Sequence, residues 1–116
     1  MYVGRDFDPS DSGESERYTF DFVNDLQTGD TIQSAVWTCA VAAKSAGFDP
    51  DAAGCISQPA VYTGTKTTQR VSGMLPGVTY VLRATVTTQN NDIISLWSCV
   101  ECRNPVPVVV VIGVSP

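Results

Sequence analysis

The sequence predicts a single all-β domain in which two sheets pack as a sandwich, and three observations support that prediction. The chain has 116 residues, the size of one domain with one hydrophobic core. Hydrophobic residues make up 43 % of the chain and charged residues only 16 %, which is typical of a packed domain rather than a disordered chain. Short segments that alternate apolar and polar residues are separated by turn formers roughly every ten residues, and no segment shows a convincing helical period.

The first strand is predicted to follow a polar N-terminal arm. Residues 1–16 are rich in Asp, Glu, Ser and Gly, and we expect an extended or mobile arm because such a composition has little to bury. From Arg17 the pattern changes to a two-residue period, which indicates a strand with the aromatic side chains on one face: Tyr18, Phe20 and Phe22.

The second strand is predicted at Thr31–Val41. Its alternation places Trp37 and Cys39 on the core face, and it places five residues on the opposite face: Ile32, Ser34, Val36, Thr38 and Ala40. A long connection over residues 42–54 follows. An edge strand is then expected near residues 56–62, because Pro59 lacks the amide hydrogen that a central strand needs.

The C-terminal half carries the clearest β pattern. A polar strand is predicted over residues 65–71, followed by a turn at Leu75-Pro76-Gly77. Residues 78–88 and 93–103 then form a predicted hairpin. In the first of its strands the core face consists of Tyr80, Leu82, Ala84 and Val86.

The last thirteen residues, 104–116, form an apolar tail with Pro105 and Pro107 near its start. Because it lacks alternation, it resembles a strand buried on both faces. It either completes the sheet of its own domain or docks on a neighbour by strand addition. In the second case the contact residues are Val106, Val108, Val109, Val110, Val111, Ile112 and Val114.

Charge and residue content exclude several classes of function. The net charge is −5, and no cluster of Lys or Arg is present, so neither nucleic acid nor an anionic membrane is an expected partner. Histidine is absent, which excludes Ser-His and Cys-His nucleophiles. No glycine-rich phosphate loop is present. We therefore expect no catalytic residues, no cofactor and no enzymatic activity.

The sequence gives little support for a metal site or for a secretory signal. Cys99 and Cys102 have the spacing of half a zinc site, but Cys39 and Cys55 form no second half. The favoured interpretation is four buried thiols in a reducing compartment, with a disulfide or a structural zinc as alternatives. The N-terminus lacks the apolar core of a secretory signal, so we expect synthesis in a cytoplasm.

Residues 75–84, Leu-Pro-Gly-Val-Thr-Tyr-Val-Leu-Arg-Ala, resemble the corner of fibronectin type III-like domains, in which a tyrosine hydroxyl ties a strand to the preceding turn. This resemblance implies an immunoglobulin-like or fibronectin type III-like β-sandwich, to which the composition of residues 1–16 and 104–116 adds extended terminal arms. It also implies that Tyr80 is a structural residue, and we expect structural roles for Trp37 and Leu82 as well.

A wider resemblance spans roughly residues 18–103, with Gly29-Asp30-Thr31-Ile32 and Ser34-Ala35-Val36-Trp37 as its most specific part. These segments resemble small Ig-like proteins of tailed phages that are described as fibre–tail adaptors. The resemblance implies a structural protein of the virion tail that binds other tail or portal-proximal proteins and tail fibres, in many copies arranged as a symmetric ring. The alternatives are a head decoration protein of similar fold, or a sugar- or receptor-binding module that exposes Trp37 or Trp97.

Overall fold

A computed structural model describes residues 1–11 and 13–103, and over these residues two β-sheets pack against each other. The strands in chain order are β1 Ser10–Asp11, β2 Ser15–Asp21, β3 Ile32–Val41, β4 Val61–Thr63, β5 Lys66–Ser72, β6 Thr79–Thr88 and β7 Ile93–Arg103. One sheet has the strand order β1-β7-β6-β3, and the other has the order β2-β5-β4. The predicted all-β sandwich is therefore confirmed.

Strand β6 is the centre of the four-stranded sheet and pairs antiparallel with both β3 and β7. Its alternation follows the prediction: the side chains of Tyr80, Leu82, Ala84 and Val86 are all 0 % exposed. At the other end of the β6–β7 hairpin, the Thr88 hydroxyl accepts a hydrogen bond from Asp92 N, which closes the turn. The two-residue period predicts this face because each strand residue points opposite to its neighbours.

The face assignment of Ile32 at the start of β3 was wrong. Ile32 is buried in the core, although the alternation placed it with the exposed residues Ser34 and Val36. The register between β3 and β6 shifts between Ile32 and Ser34, and a bulge of this kind reverses the side on which the preceding residue lies. Beyond the bulge, Trp37 and Cys39 face the core as predicted.

The predicted edge strand near residues 56–62 was also placed too early. The structure has β4 at Val61–Thr63, at the free edge of the three-stranded sheet. The preceding connection contains a 3-10 turn at Ala52–Cys55 and one isolated antiparallel bridge between Ile56 and Val71. Pro59 cannot donate a hydrogen bond to a ladder, so the continuous pairing of β4 begins only after it. Within the described residues, no helix is long and apolar enough to span a membrane.

Trp37 links the two sheets through the core. Its ring stacks on Phe20 of β2, with ring centroids 4.9 Å apart. Its indole Nε1 donates a hydrogen bond of 3.0 Å to Thr67 Oγ1 of β5, and that hydroxyl donates to the Val61 carbonyl oxygen at 2.9 Å. A buried indole N–H requires a partner, so the rotamer of Trp37 and the positions of β4 and β5 are fixed together.

Tyr80 fixes the corner at which the chain enters β6. Its hydroxyl accepts a hydrogen bond from Leu75 N at 2.8 Å and donates one to Asp49 Oδ2 at 2.7 Å. Burial raises the pKa of Tyr80 above its ordinary value, so the hydroxyl stays protonated. The turn itself needs Gly77, whose φ of +84° lies in the region that other residues rarely adopt.

The first prediction concerns this corner. Tyr80→Phe removes the donor to the buried Asp49 carboxylate and the acceptor of Leu75 N, and it should lower the free energy of unfolding by about 2 kcal/mol. Urea denaturation measures the change. Tyr62→Phe is the matched control, because Tyr62 is exposed and lies in β4. Equal effects of the two substitutions would contradict a structural role for the Tyr80 hydroxyl.

Candidate functional site

The N-terminal segment, residues 1–11, lies along the outer edge of β7. Trp97 N donates to Met1 O at 2.9 Å, Val3 N donates to Trp97 O at 3.1 Å, and Phe7 N donates to Cys99 O at 2.9 Å. Strand β1 then continues the parallel pairing with the end of β7. The segment is thus extended, one of the two conformations predicted, but it lies on its own domain. The predicted end of the arm at residue 16 falls inside β2.

Aromatic contacts anchor the N-terminal segment. The Phe7 ring packs against Tyr18 and Phe20, with centroid separations of 4.8 and 5.3 Å, and Tyr2 packs against Trp97 at 4.8 Å. Sequence reasoning missed these contacts because the acidic composition of residues 1–16 concealed two aromatic residues five positions apart. Phe7 is the residue that could have predicted docking. Burying part of an aromatic ring stabilises a segment by more than the ordering of its small polar residues costs.

A groove of about 610 Å³ opens beside this segment on the outer face of the four-stranded sheet. Val81, Trp97 and Cys99 form its floor, and they alternate with the core residues of β6 and β7. Tyr2 and Lys44 also line the groove, and both contact Asp6. The groove is therefore mainly apolar, with polar groups at its rim.

The polar rim of the groove is held by Asp6. Its Oδ2 accepts from Lys44 Nζ at 3.0 Å, and its Oδ1 accepts from the Tyr2 hydroxyl at 2.8 Å. The hydrogen bonds from Lys44 and Tyr2 hold the pKa of Asp6 below its ordinary value, and the same carboxylate raises the pKa values of Tyr2 and Lys44. Asp6 thus accepts hydrogen bonds from both Tyr2 and Lys44, and the bond to Lys44 attaches the N-terminal segment to the loop that follows β3.

The structure separates the two tryptophans that were considered for a sugar-binding face. Trp37 is buried in the core, so it cannot contact a ligand. Trp97 is half-buried and lines the groove. The three residues that were expected to be structural lie in the buried hydrophobic core: Trp37, Tyr80 and Leu82.

All four cysteines are free and buried. Cys102 lies in the core cluster, whereas Cys99 forms part of the groove floor, because an odd spacing of three places two residues of one strand on opposite faces. Cys39 and Cys55 are neighbours inside the sandwich, and burial raises the pKa of both thiols. Over the described part of the chain, no group of three Cys, Asp or Glu side chains could hold a metal ion.

The predicted contact residues of the tail lie outside the described residues. These are Val106, Val108, Val109, Val110, Val111, Ile112 and Val114. Strand β7 ends at Arg103, directly before them.

Comparison with known families gives one match. Residues 10–96, about three quarters of the chain, match a family model described as Podophage GP4 fiber-tail adaptor protein gp77. The matched region runs from β1 into β7 and so covers both sheets. No curated protein sequence matches the chain significantly.

The second prediction concerns the thiols. Because burial raises the pKa values of all four cysteines, little thiolate forms at pH 8. Reaction with a disulfide reagent such as Ellman's reagent should be on the order of 100-fold slower in the native protein than in urea. A thiol that reacts at the rate of the unfolded chain would contradict the burial of that residue.

The third prediction concerns Asp6. Asp6→Asn removes the charge that binds Lys44 and should loosen the N-terminal segment without unfolding the core, because the contact is exposed. The emission of Trp97 should then shift to the red as Tyr2 leaves it, while the global unfolding midpoint stays nearly unchanged. Asp8→Asn is the control, since Asp8 makes no ion pair among the described residues.

The same contact gives a pH dependence with a definite sign. The pKa of Asp6 is lowered from 3.8, so the contact is fully formed above that value and is lost as the pH falls through the lowered pKa. The red shift should therefore appear in the wild-type protein only below pH 3.8. A transition of the Trp97 signal near neutral pH would show that another group controls the segment.

Proposed function

The chain belongs to the podophage fibre–tail adaptor family, and from this membership we propose that it is a non-enzymatic structural protein that joins tail components or attaches tail fibres. Membership itself places the protein in the virion tail. The observation that carries the proposal is the family match across both sheets, from residue 10 to residue 96.

The chemistry of the domain supports a binding role rather than a catalytic one. The buried Asp49 carboxylate binds the Tyr80 hydroxyl and Asp51 N, so it serves the fold. Asp6 and Lys44 bind each other at the groove rim. Burial is the main cause that raises the pKa of each of the four thiols. The charge of Lys44 acts to lower the pKa of Cys99, but burial outweighs it, so no thiol is activated as a catalytic nucleophile would be.

We further propose that several copies form a symmetric ring between portal-proximal proteins and the fibres. The body of each copy is the rigid sandwich, and the apolar tail of residues 104–116 supplies the contacts to neighbours. Because residues 1–11 are fastened to β7 of their own domain, the role of an external arm falls to the tail. Symmetry then multiplies contacts that are individually weak. Synthesis in the host cytoplasm is supported by the four free cysteines.

The fourth prediction tests this function in the phage. In a phage whose chain ends after Arg103, the protein should be absent from purified particles, because the tail supplies its contacts. The purified truncated chain should still unfold cooperatively in urea. Val23→Glu, which changes an exposed residue in the loop after β2, is the control and should enter particles normally.

Quantitative mass spectrometry and electron microscopy of the particles measure the outcome. A ring of the wild-type protein at the tail supports the adaptor function, and hundreds of copies spread over the capsid would instead indicate a head decoration protein. A truncated chain that enters particles at the wild-type level would overturn the role of the tail.

A further inference from the structure

Two uncharged stretches of the chain lie side by side in the fold. Residues 31–43 and residues 52–65 contain no Asp, Glu, Lys or Arg. The first stretch contains β3, and the second contains the 3-10 turn and β4, both of which contact β3. We call this surface the uncharged side. It is unusual in a protein with a net charge of −5, because charge elsewhere keeps copies of the chain apart.

The uncharged side contains one outer edge of each sheet. Among the described strands, β3 is outermost in its sheet and β4 is outermost in the other. The ten residues of β3 include no charged residue and no proline, either of which hinders edge-to-edge pairing. The bulge of β3 lies at its start, between Ile32 and Ser34, so the rest of the edge is regular. Ala42 N donates to Thr79 O of the β6 side, so by the alternation of an antiparallel ladder the amides of Ala35, Trp37 and Cys39 are directed away from β6.

Apolar side chains stand exposed along the same side. Val36 of β3 and Val61 of β4 are each 64 % exposed, and Tyr62 of β4 is 45 % exposed. The β3 residues beside Val36 on the outer face are exposed and neutral, Ser34 and Thr38. Single exposed apolar residues are common, but a group of them along two unpaired edges is typical of an interaction site.

We propose that the uncharged side is the docking site for residues 106–114 of a second copy of the chain. This inference rests on the proposed function and names the surface that receives the tail. Residues 104–116 also contain no charged residue, so pairing of the tail with the edge of β3 or β4 buries no charge of the paired strands, and Arg83 and Lys66 lie on the adjoining strands. The nine residues 106–114, when extended, span roughly 30 Å, which is close to the length of β3.

The connectivity favours a second copy over the chain's own surface. In the sheet, β6 lies between β7, where the tail begins, and β3. To reach its own β3 edge, the tail would have to pass β6 and turn within a few residues. Pro105 and Pro107 favour an extended backbone at the residues that precede them, where that turn would be needed. A tail that binds the next copy makes a heterologous contact, which closes into a ring when the rotation between copies allows it.

The fifth prediction uses two full-length variants. The edge variant carries Val36→Asp and Val61→Asp, both at exposed positions, and the tail variant carries Val109→Asp and Val111→Asp. In sedimentation velocity the wild-type chain should assemble and each variant alone should be monomeric. An equimolar mixture should form a heterodimer, because the intact tail of the edge variant binds the intact edge of the tail variant. A control chain with Val23→Asp and Ile93→Asp, also at exposed positions, should assemble like the wild type.

The remaining outcomes overturn the inference. A wild-type chain that stays monomeric, an edge variant that assembles, or a mixture that stays monomeric would each exclude docking between copies through these surfaces. The adaptor function is tested separately by the phage. If the edge variant still forms a ring at the tail, the docking inference fails and the adaptor function stands. If the wild-type protein is not at the tail, the adaptor function fails whatever the mixture does.

Discussion

The buried hydroxyl of Tyr80 joins three parts of the chain that share no secondary structure: the corner at Leu75, the connection that contains Asp49, and β6 itself. The connection between β3 and β4 has few ladder contacts, so this bond holds it against the sandwich together with the bonds from Gly47 N to Gly77 O and from Thr79 N to Ser45 Oγ. Asp49 also accepts from Asp51 N, directly before the 3-10 turn. The 3-10 turn packs against β3 through Cys55, and the chain continues from it to β4. The position of β4 at the edge of the second sheet therefore depends in part on the Tyr80 hydroxyl.

The predictable parts of the fold are those in which local pattern and long-range packing agree. In β6, alternation alone identified the core face from Tyr80 to Val86, because over these residues its pairing with β3 and with β7 is regular. The bulge before Ser34 could not be predicted in the same way, because nothing in the residue types of β3 marks it. It nevertheless reverses the face on which Ile32 lies. The register of a pair is set by the partner strand, which a single strand does not reveal.

The candidate surfaces were harder to predict than the fold. The docking of the N-terminal segment depends on Phe7 meeting Tyr18 and Phe20, a contact between residues whose relation is purely tertiary. Likewise the two uncharged stretches are separate in the sequence, and only the strand order makes them one surface. By covering β7, the N-terminal segment closes one side of the four-stranded sheet, and the opposite side remains for association. The domain thus has distinct sides, as a component that must join different neighbours requires.

The burial of the thiols bears on the durability of the particle. A virion protein is made in one redox environment and must remain functional in another, where oxygen and disulfide exchange favour cross-links. Cys39 and Cys55 face each other, and Cys99 and Cys102 are covered by the domain itself, so none offers a surface thiol to an adjacent subunit. Oxidation of the facing pair would add an internal cross-link between β3 and the 3-10 turn and leave the contacts between subunits chemically unchanged. Ageing outside the cell would therefore alter the stability of each subunit and spare the geometry of the assembly.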